Sequence, residues 1–467
     1  MTLQPLIFYA SLFILSALVL KAIKHSRRLP PSPWALPIVG HLHLLGPSLH
    51  HSFHKLSTRY GPLMSIRIGS VLGVVTSSPD VTKELLKTND VTFAARNSSA
   101  AIECLTYNSS FAFAPNGPYW QFMKKLTTVE LLGSRTLLQF LPIRTNELHE
   151  LIRFLFEKSK SGGSVNITDE LLKFTNNIIS QMMLSIRCSG KGGQAEECRT
   201  LAREVTEIFG EFNSSDIIWI FKSFDIQGFR RRFKDIHRRF DSLLENIITN
   251  REKLRKEKKE SEEKVKDLLD ILLDVLENQN SEIKLTRDHI KALFLDFLTA
   301  GTDTSSMTVE WALAELINHP MVLQKAQQEI DQVFGRNRLV QESDVPHLPY
   351  IQAIIKESFR LHPPIPLLNR RALEDCKIGN YIIPKGTLLG LHYQLLPFGT
   401  GRRGCPGLSL AMQELPTTLA AMIQCFNFKV TSPDGVVDMS ERPGLSSPRA
   451  QDLVCVPVAR CAPSILN

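Results

Sequence analysis

Ten residues near the C-terminal end, Phe398-Gly-Thr-Gly-Arg-Arg-Gly-Cys-Pro-Gly407, constrain the fold of this chain more than any other stretch. Three glycines before the cysteine and one after it let the backbone take positive φ, approach a flat ligand closely and turn N–H groups towards the Cys405 sulfur. A thiolate needs such donors. Arg403 can neutralise the surroundings of the sulfur or pair with a carboxylate of the ligand, Phe398 can shield the sulfur, and a helix is expected to begin near Leu408. An incidental cysteine in a glycine-rich turn would not require this agreement across the whole stretch.

The rest of the chain can supply the core that such a loop needs. It has 467 residues, 43% of them hydrophobic, and no shift of composition divides 41–467 into separate domains. The formal charge of +8 points to an anionic membrane surface, an acidic protein partner or nucleic acid. No nucleic-acid motif is present, so the first two are favoured. The eight cysteines are scattered without metal-site or disulfide-framework spacing, as expected of reduced thiols.

Residues 1–25 read as a transmembrane signal-anchor. Leu3 to Ile23 is mostly apolar, about the ~20 residues a bilayer requires, and the basic residues Lys24, Arg27 and Arg28 follow it. A cleaved signal peptide would carry its positive charge ahead of the apolar run, and positive-inside logic leaves the bulk of the protein cytosolic. The sequons at Asn97, Asn108, Asn166 and Asn213 are therefore expected to be unglycosylated. The proline-rich, basic segment 26–40 reads as a stiff hinge, because its prolines fix φ and remove donors.

Strands are expected at Leu63–Ile68 and Val71–Thr76, and helices dominate from about Val81, so the class is mainly α with small β-sheets. One long helix should start at a Thr286 cap and run to Asn318 before Pro320, roughly 50 Å. Its middle is expected to be buried, yet it reads Ala300-Gly-Thr-Asp-Thr-Ser305. Thr304 can bond back to the carbonyl four residues earlier and distort the helix there. A second helix, from Pro349 to before His362, places Glu357 and Arg360 on one face, which alone means no more than a surface ion pair. The charged run from Arg251 to Asp267 reads as a solvated helix face or loop.

With these motifs in hand the sequence resembles the cytochrome P-450 superfamily, over nearly its whole length. The resemblance implies a haem-thiolate fold with haem b held by Cys405, the iron ligand, within the Phe398, Gly399, Arg403, Cys405, Gly407 pattern. Trp120 and Lys124 match the family's Trp-x-x-x-Arg, with lysine giving a propionate contact as a point charge instead of a fork. Arg370 or Arg371, beyond the Pro363-Pro-Ile-Pro366 turn, is similarly placed to a second propionate partner. Asp303 and Thr304 would hold water and relay the protons that O–O cleavage needs, while Glu357 and Arg360 match the structural Glu-x-x-Arg pair. Electrons would come from NADPH through a membrane-bound cytochrome P-450 reductase, whose acidic face could meet Lys124, Lys125 and Arg402. The resemblance also implies a single-pass protein of the endoplasmic reticulum membrane, in contact with lipid.

Within the superfamily the chain resembles the plant flavonoid enzymes called flavone synthase II, with 2-hydroxyisoflavanone synthase a near relative. This likeness rests on Leu131-Leu-Gly-Ser-Arg135, Ile208-Phe-Gly-Glu-Phe-Asn213, Phe297-Leu-Thr-Ala-Gly-Thr-Asp-Thr304 and Glu441-Arg-Pro-Gly-Leu445. It implies a flavanone substrate lying against Thr299 and Ala300, the turn with Ile365, Leu367 and Leu368, and the loop with Leu445 and Ser446. One departure stands out. Only 45 positions separate Arg360 from Cys405, several tens fewer than in the family, and the shortfall falls between Leu391 and His392. A strand remainder, a short helix and the meander are expected to be missing, and with them the arginine that completes the Glu357–Arg360 triad. Reduced haem incorporation is the expected result.

Overall fold

A computed structural model describes residues 28–466 apart from 189–192, 212, 222–224, 258–265 and 392–395. The expected anchor, the first hinge residues and the His392–Leu395 junction lie outside the described residues. No helix among those described is long and apolar enough to cross a membrane.

Helices form most of the domain. Those that build the site are α1 (Leu49–Tyr60), α2 (Pro118–Lys125), α3 (Ile167–Leu184), α4 (Gly193–Gly210), α5 (Arg287–Asn318), α6 (Pro349–Leu361) and α7 (Leu408–Cys425). The strands are β1 (Leu63–Ile68), β2 (Val71–Thr76), β3 (Val165–Asn166), β4 (Leu368–Arg371), β5 (Cys376–Ile378), β6 (Tyr381–Ile383), β7 (Leu388–Leu391), β8 (Phe426–Val430) and β9 (Val454–Ala459). They make a four-stranded sheet in the order β1-β2-β7-β4, a three-stranded sheet β3-β9-β8 and a β5-β6 hairpin. In the first sheet β7 runs parallel to β2 and antiparallel to β4.

Helix α5 begins and ends where its sequence signals lie. Thr286 Oγ1 accepts from the His289 N–H and His289 Nδ1 accepts from the Thr286 N–H, a reciprocal cap that satisfies two otherwise orphaned donors. Its far end is followed by Pro320, which opens the next helix. The largest apolar cluster joins α5 with α3, α6 and α7, and α3 is its most extensively packed neighbour. Gly301 permits this: a Cβ there would come within 2.7 Å of Ile179 Cδ1. Thr175 Oγ1 adds a buried hydrogen bond to the Thr302 carbonyl at 3.0 Å.

Two expectations change in this frame. The described part of the hinge does not stand apart from the domain, because Ser65 donates from Oγ to the Pro30 carbonyl and from its backbone N–H to the Pro31 carbonyl, both at 2.8 Å. The helical part of the charged run is also not merely solvated. Arg251 reaches Asp267 at 2.7 Å, and Asp267 is the buried cap of the helix Leu268–Glu277.

Candidate functional site

The Cys405 loop is closed by a hydrogen bond from the Cys405 N–H to the Phe398 carbonyl at 2.8 Å. Gly399 and Gly401 have φ of +65° and +69°, and a Cβ on Gly401 would lie 2.7 Å from the Leu86 carbonyl. Gly404 and Gly407 take ordinary negative φ, so only two of the four glycines are needed for left-handed backbone. Phe398 meets Phe359 of α6 edge to face, with centroids 5.1 Å apart. The N–H groups of Gly407 and Leu408, at the start of α7, donate to the Cys405 thiol as expected. Burial pushes that thiol up, against these donors and the charges of Lys124 and Arg96. Cys405 is nevertheless the exposed member of the described cysteines. The sulfur is thus both closely surrounded by protein and reachable by solvent.

Cations surround this sulfur, in partly unexpected roles. Lys124 donates from Nζ to the Gly404 carbonyl at 2.7 Å, so it braces the cysteine loop directly. Arg403 is buried, donating from Nε to Ala94 O at 2.6 Å and from Nη2 to Ala114 O, and it stacks over Trp120 at 4.4 Å. Its donors thus tie the loop to residues 94–114, where a charge for the sulfur or for a ligand carboxylate was expected. Arg370 is buried with Nη2 3.4 Å from Arg403 O, whereas Arg371 projects the other way, as neighbours on a strand must. Arg371 lines a cavity of about 360 Å³ together with Arg96.

Arg96 had no signal in the sequence, being a single arginine in an irregular stretch. Its Nε is buried without a partner, as is Trp120 Nε1. Burial and the charge of Arg96 push Arg370 and Arg403 each down to about 9, with Asp90 opposing. Mutually repelling buried guanidiniums and two orphaned donors are complementary to a buried anion.

The expected bond from the Thr304 hydroxyl to Ala300 O is present at 2.7 Å, yet helix α5 is continuous through its polar middle, contrary to the expected distortion. Thr299 does the same towards Leu295 O at 2.8 Å. Ala300 is exposed and Asp303 and Thr304 are half-buried, so this turn borders open space instead of core. Asp303 bonds Thr206 of α4, and burial raises its carboxyl. A second carboxyl was missed. Asp296, two turns earlier, is buried, accepts from Ser110 Oγ at 2.6 Å and from the Ala112 N–H at 3.3 Å, and is pushed up by burial to about 6. Its presence in the apolar run Phe294 to Leu298 was a signal in itself.

The expected substrate elements are joined at Ser447. Its N–H donates to Pro364 O at 3.0 Å and its carbonyl accepts from Trp311 Nε1 of α5 at 2.9 Å. Leu445 and Gly444 also pack on Gly210 of α4. Ile365 is 40% exposed, while Leu367 packs on the Phe53 and Met64 cluster and Leu368 against the sheet cluster near Gly399. Glu357 and Arg360 pair on the surface of α6. Of the three basic residues expected to face a redox partner, Lys124 turns inward and Arg402 lies 3.6 Å from Asp90, leaving Lys125 exposed.

A long helix through a mainly α domain, together with a glycine- and arginine-rich loop whose cysteine thiol feels Lys124 and Arg96, defines a haem-thiolate protein. Residues 30–393 and 389–456 match the family described as cytochrome P450, and the chain belongs to that family of NADPH-driven, haem-binding monooxygenases. The two matched segments meet at 389–393, where the shortfall was located. The chain is 54% identical to cytochrome P450 93B2 of Gerbera hybrida, over 97% of this chain and 96% of that one. It is 45% identical to 3,9-dihydroxypterocarpan 6A-monooxygenase of Glycine max (96% and 97%) and 42% identical to 2-hydroxyisoflavanone synthase of Glycyrrhiza echinata (94% and 93%). The first of these matches spans 493 positions, more than the 467 residues here, so that relative has residues this chain lacks. The exposed thiol with its N–H donors and the orphaned Trp120 and Arg96 donors fit a haem with its two carboxylates.

Proposed function

We propose that this protein is a monooxygenase of plant flavonoid metabolism that converts a flavanone to a flavone. The observation that carries the reading is kinship along nearly the full chain with relatives named for a pterocarpan hydroxylation and for 2-hydroxyisoflavanone synthesis. Cys405 would ligate the haem iron, with Trp120, Arg96, Arg370 and Arg403 towards its carboxylates and Phe398 and Gly407 beside the sulfur. When bound, the haem supplies dioxygen activation driven by an electron-rich thiolate. The chain supplies position and protons. Asp303, its carboxyl raised by burial, would take part in the proton relay with Thr304, whose own proton goes to Ala300 O and which still presents lone pairs to a water. Thr299, Ala300, Ile365, Leu445 and Ser446 would face the flavanone. The chain would be anchored by residues 1–25 in the endoplasmic reticulum membrane, with the catalytic domain in the cytosol and Lys125 towards the reductase.

A second reading, oxidation with aryl migration to a 2-hydroxyisoflavanone, draws on the relative of that name. A third, a shortened chain with impaired haem binding, draws on the exposed Glu357–Arg360 pair. Incubating microsomes that contain the protein with naringenin and NADPH separates the three. Apigenin is the expected product; a 2-hydroxyisoflavanone supports the second reading and no product the third.

A further inference from the structure

Helix α1 and the 441–447 loop are far apart in the chain and meet at three side chains that can ligate a metal. His50 Nε2 lies 2.9 Å from Glu441 Oε2, and His51 Nε2 lies 3.9 Å from Glu441 Oε1. All three ligating atoms fall within 4.8 Å of one another, and the imidazole centroids are 4.3 Å apart. His50 and Glu441 are mostly buried, at 13% and 19% exposed, while His51 is 67% exposed. Glu441 Oε2 is buried, and His50 and His51 both hold its carboxyl below the usual carboxylate range.

We propose that His50, His51 and Glu441 bind a zinc-class divalent metal ion that clasps the 441–447 loop to α1. Two imidazoles and one carboxylate are a ligand set that zinc accepts, with ligand distances of about 2.0–2.2 Å and a fourth position left for water. Ligands of a tetrahedral ion stand ~3.3 Å apart, so the widest separation in the triad must close by up to about 1.5 Å while the His50–Glu441 pair opens slightly, and the exposed His51 ring is free to make most of that movement. Magnesium and calcium prefer sites made entirely of oxygen and are disfavoured here. The ion would act at the root of the loop that carries Leu445 and Ser446. Glu441 pairs by backbone with Arg449, and the Arg442 N–H donates to Pro448 O at 2.8 Å. A plain ion pair of Glu441 with the two histidines is the competing account, and it binds no zinc.

The test is calorimetric titration of the full-length, chelator-treated protein in detergent with zinc, with magnesium as control and thermal unfolding in parallel. Saturable uptake of about one equivalent and a zinc-dependent rise in Tm are expected, with no response to magnesium. His51→Ala and Glu441→Gln should each weaken zinc binding at least ~10-fold. His51 is exposed enough that its variant will fold, so the result stands even if Glu441→Gln does not. Unchanged affinity in His51→Ala, or no uptake by the parent protein up to ~0.1 mM zinc, overturns the proposal.

Discussion

Arg360 holds Glu357 in a two-pronged pair, Nη2 to Oε1 at 2.6 Å and Nε to Oε2 at 2.8 Å, that stands on the outside of α6 with both side chains about half exposed. Among the described residues the two share only each other. The pair holds the Glu357 carboxyl below and the Arg360 guanidinium above their ordinary values. An ion pair this open to water cannot lock the neighbouring Cys405 loop as a buried triad would.

Haem retention is therefore expected to be low. The carbon monoxide difference spectrum of the purified protein should show a Soret band well below that of an equal amount of a full-length relative, and Glu357→Gln should leave the urea midpoint unchanged. A band of full size would show that the loop holds haem without the missing support.

Lys124 is expected to matter more than that pair. Its bond to Gly404 O links α2 to the cysteine loop beside the stacking of Arg403 on Trp120, and its charge is the largest side-chain influence holding the Cys405 thiol down. Lys124→Met should cost about 1.5–3 kcal/mol in chemical denaturation and lower the haem content further. Lys124→Arg should retain much of both, and equal losses in the two variants would show that the charge is not what acts.

Glu414 on α7 gives the protein a pH-dependent stability. Burial raises its carboxyl from 4.5 to about 8, with Arg144 opposing and Glu342 adding to the rise. The unfolded chain therefore releases this proton near pH 4.5 and the folded chain only near pH 8. Between those values the folded state binds more protons, so stability falls as pH rises, by up to roughly 1.4 kcal/mol per pH unit from this group. Glu414→Gln should flatten that slope. Denaturation midpoints measured across pH 5 to 8 that decline equally in both proteins would assign the dependence elsewhere.

What could be read from the sequence were features whose cause is local. The two ends of α5 follow from the Thr286 cap and Pro320, the β1 and β2 strands from their short strand-like runs, and the start of α7 and the N–H donors to Cys405 from the stretch around the cysteine. The shortfall before the loop could also be counted and located, and the family match divides at the same place. Contacts across the fold could not be read in this way. Lys124 and Gly404 are 280 positions apart and Arg403 and Ala94 309, so no periodicity or spacing reports on them. That α5 stays a continuous helix past Thr304, with α3 packed close against Gly301, could likewise not be read from the local sequence.

The sequence by itself determined the chemistry of the protein: a cysteine presented by a short run of glycines and arginines, whose backbone geometry depends on adjacent residues. Only the tertiary structure decided how that cysteine is surrounded. It brought Arg96 and Trp120 to the site with unsatisfied donors, turned Lys124 onto the loop, left Glu357 and Arg360 in water and joined His50 and His51 to Glu441. Each of these outcomes depends on burial and on the meeting of distant segments, which are properties of the packed chain and not of any one stretch of it.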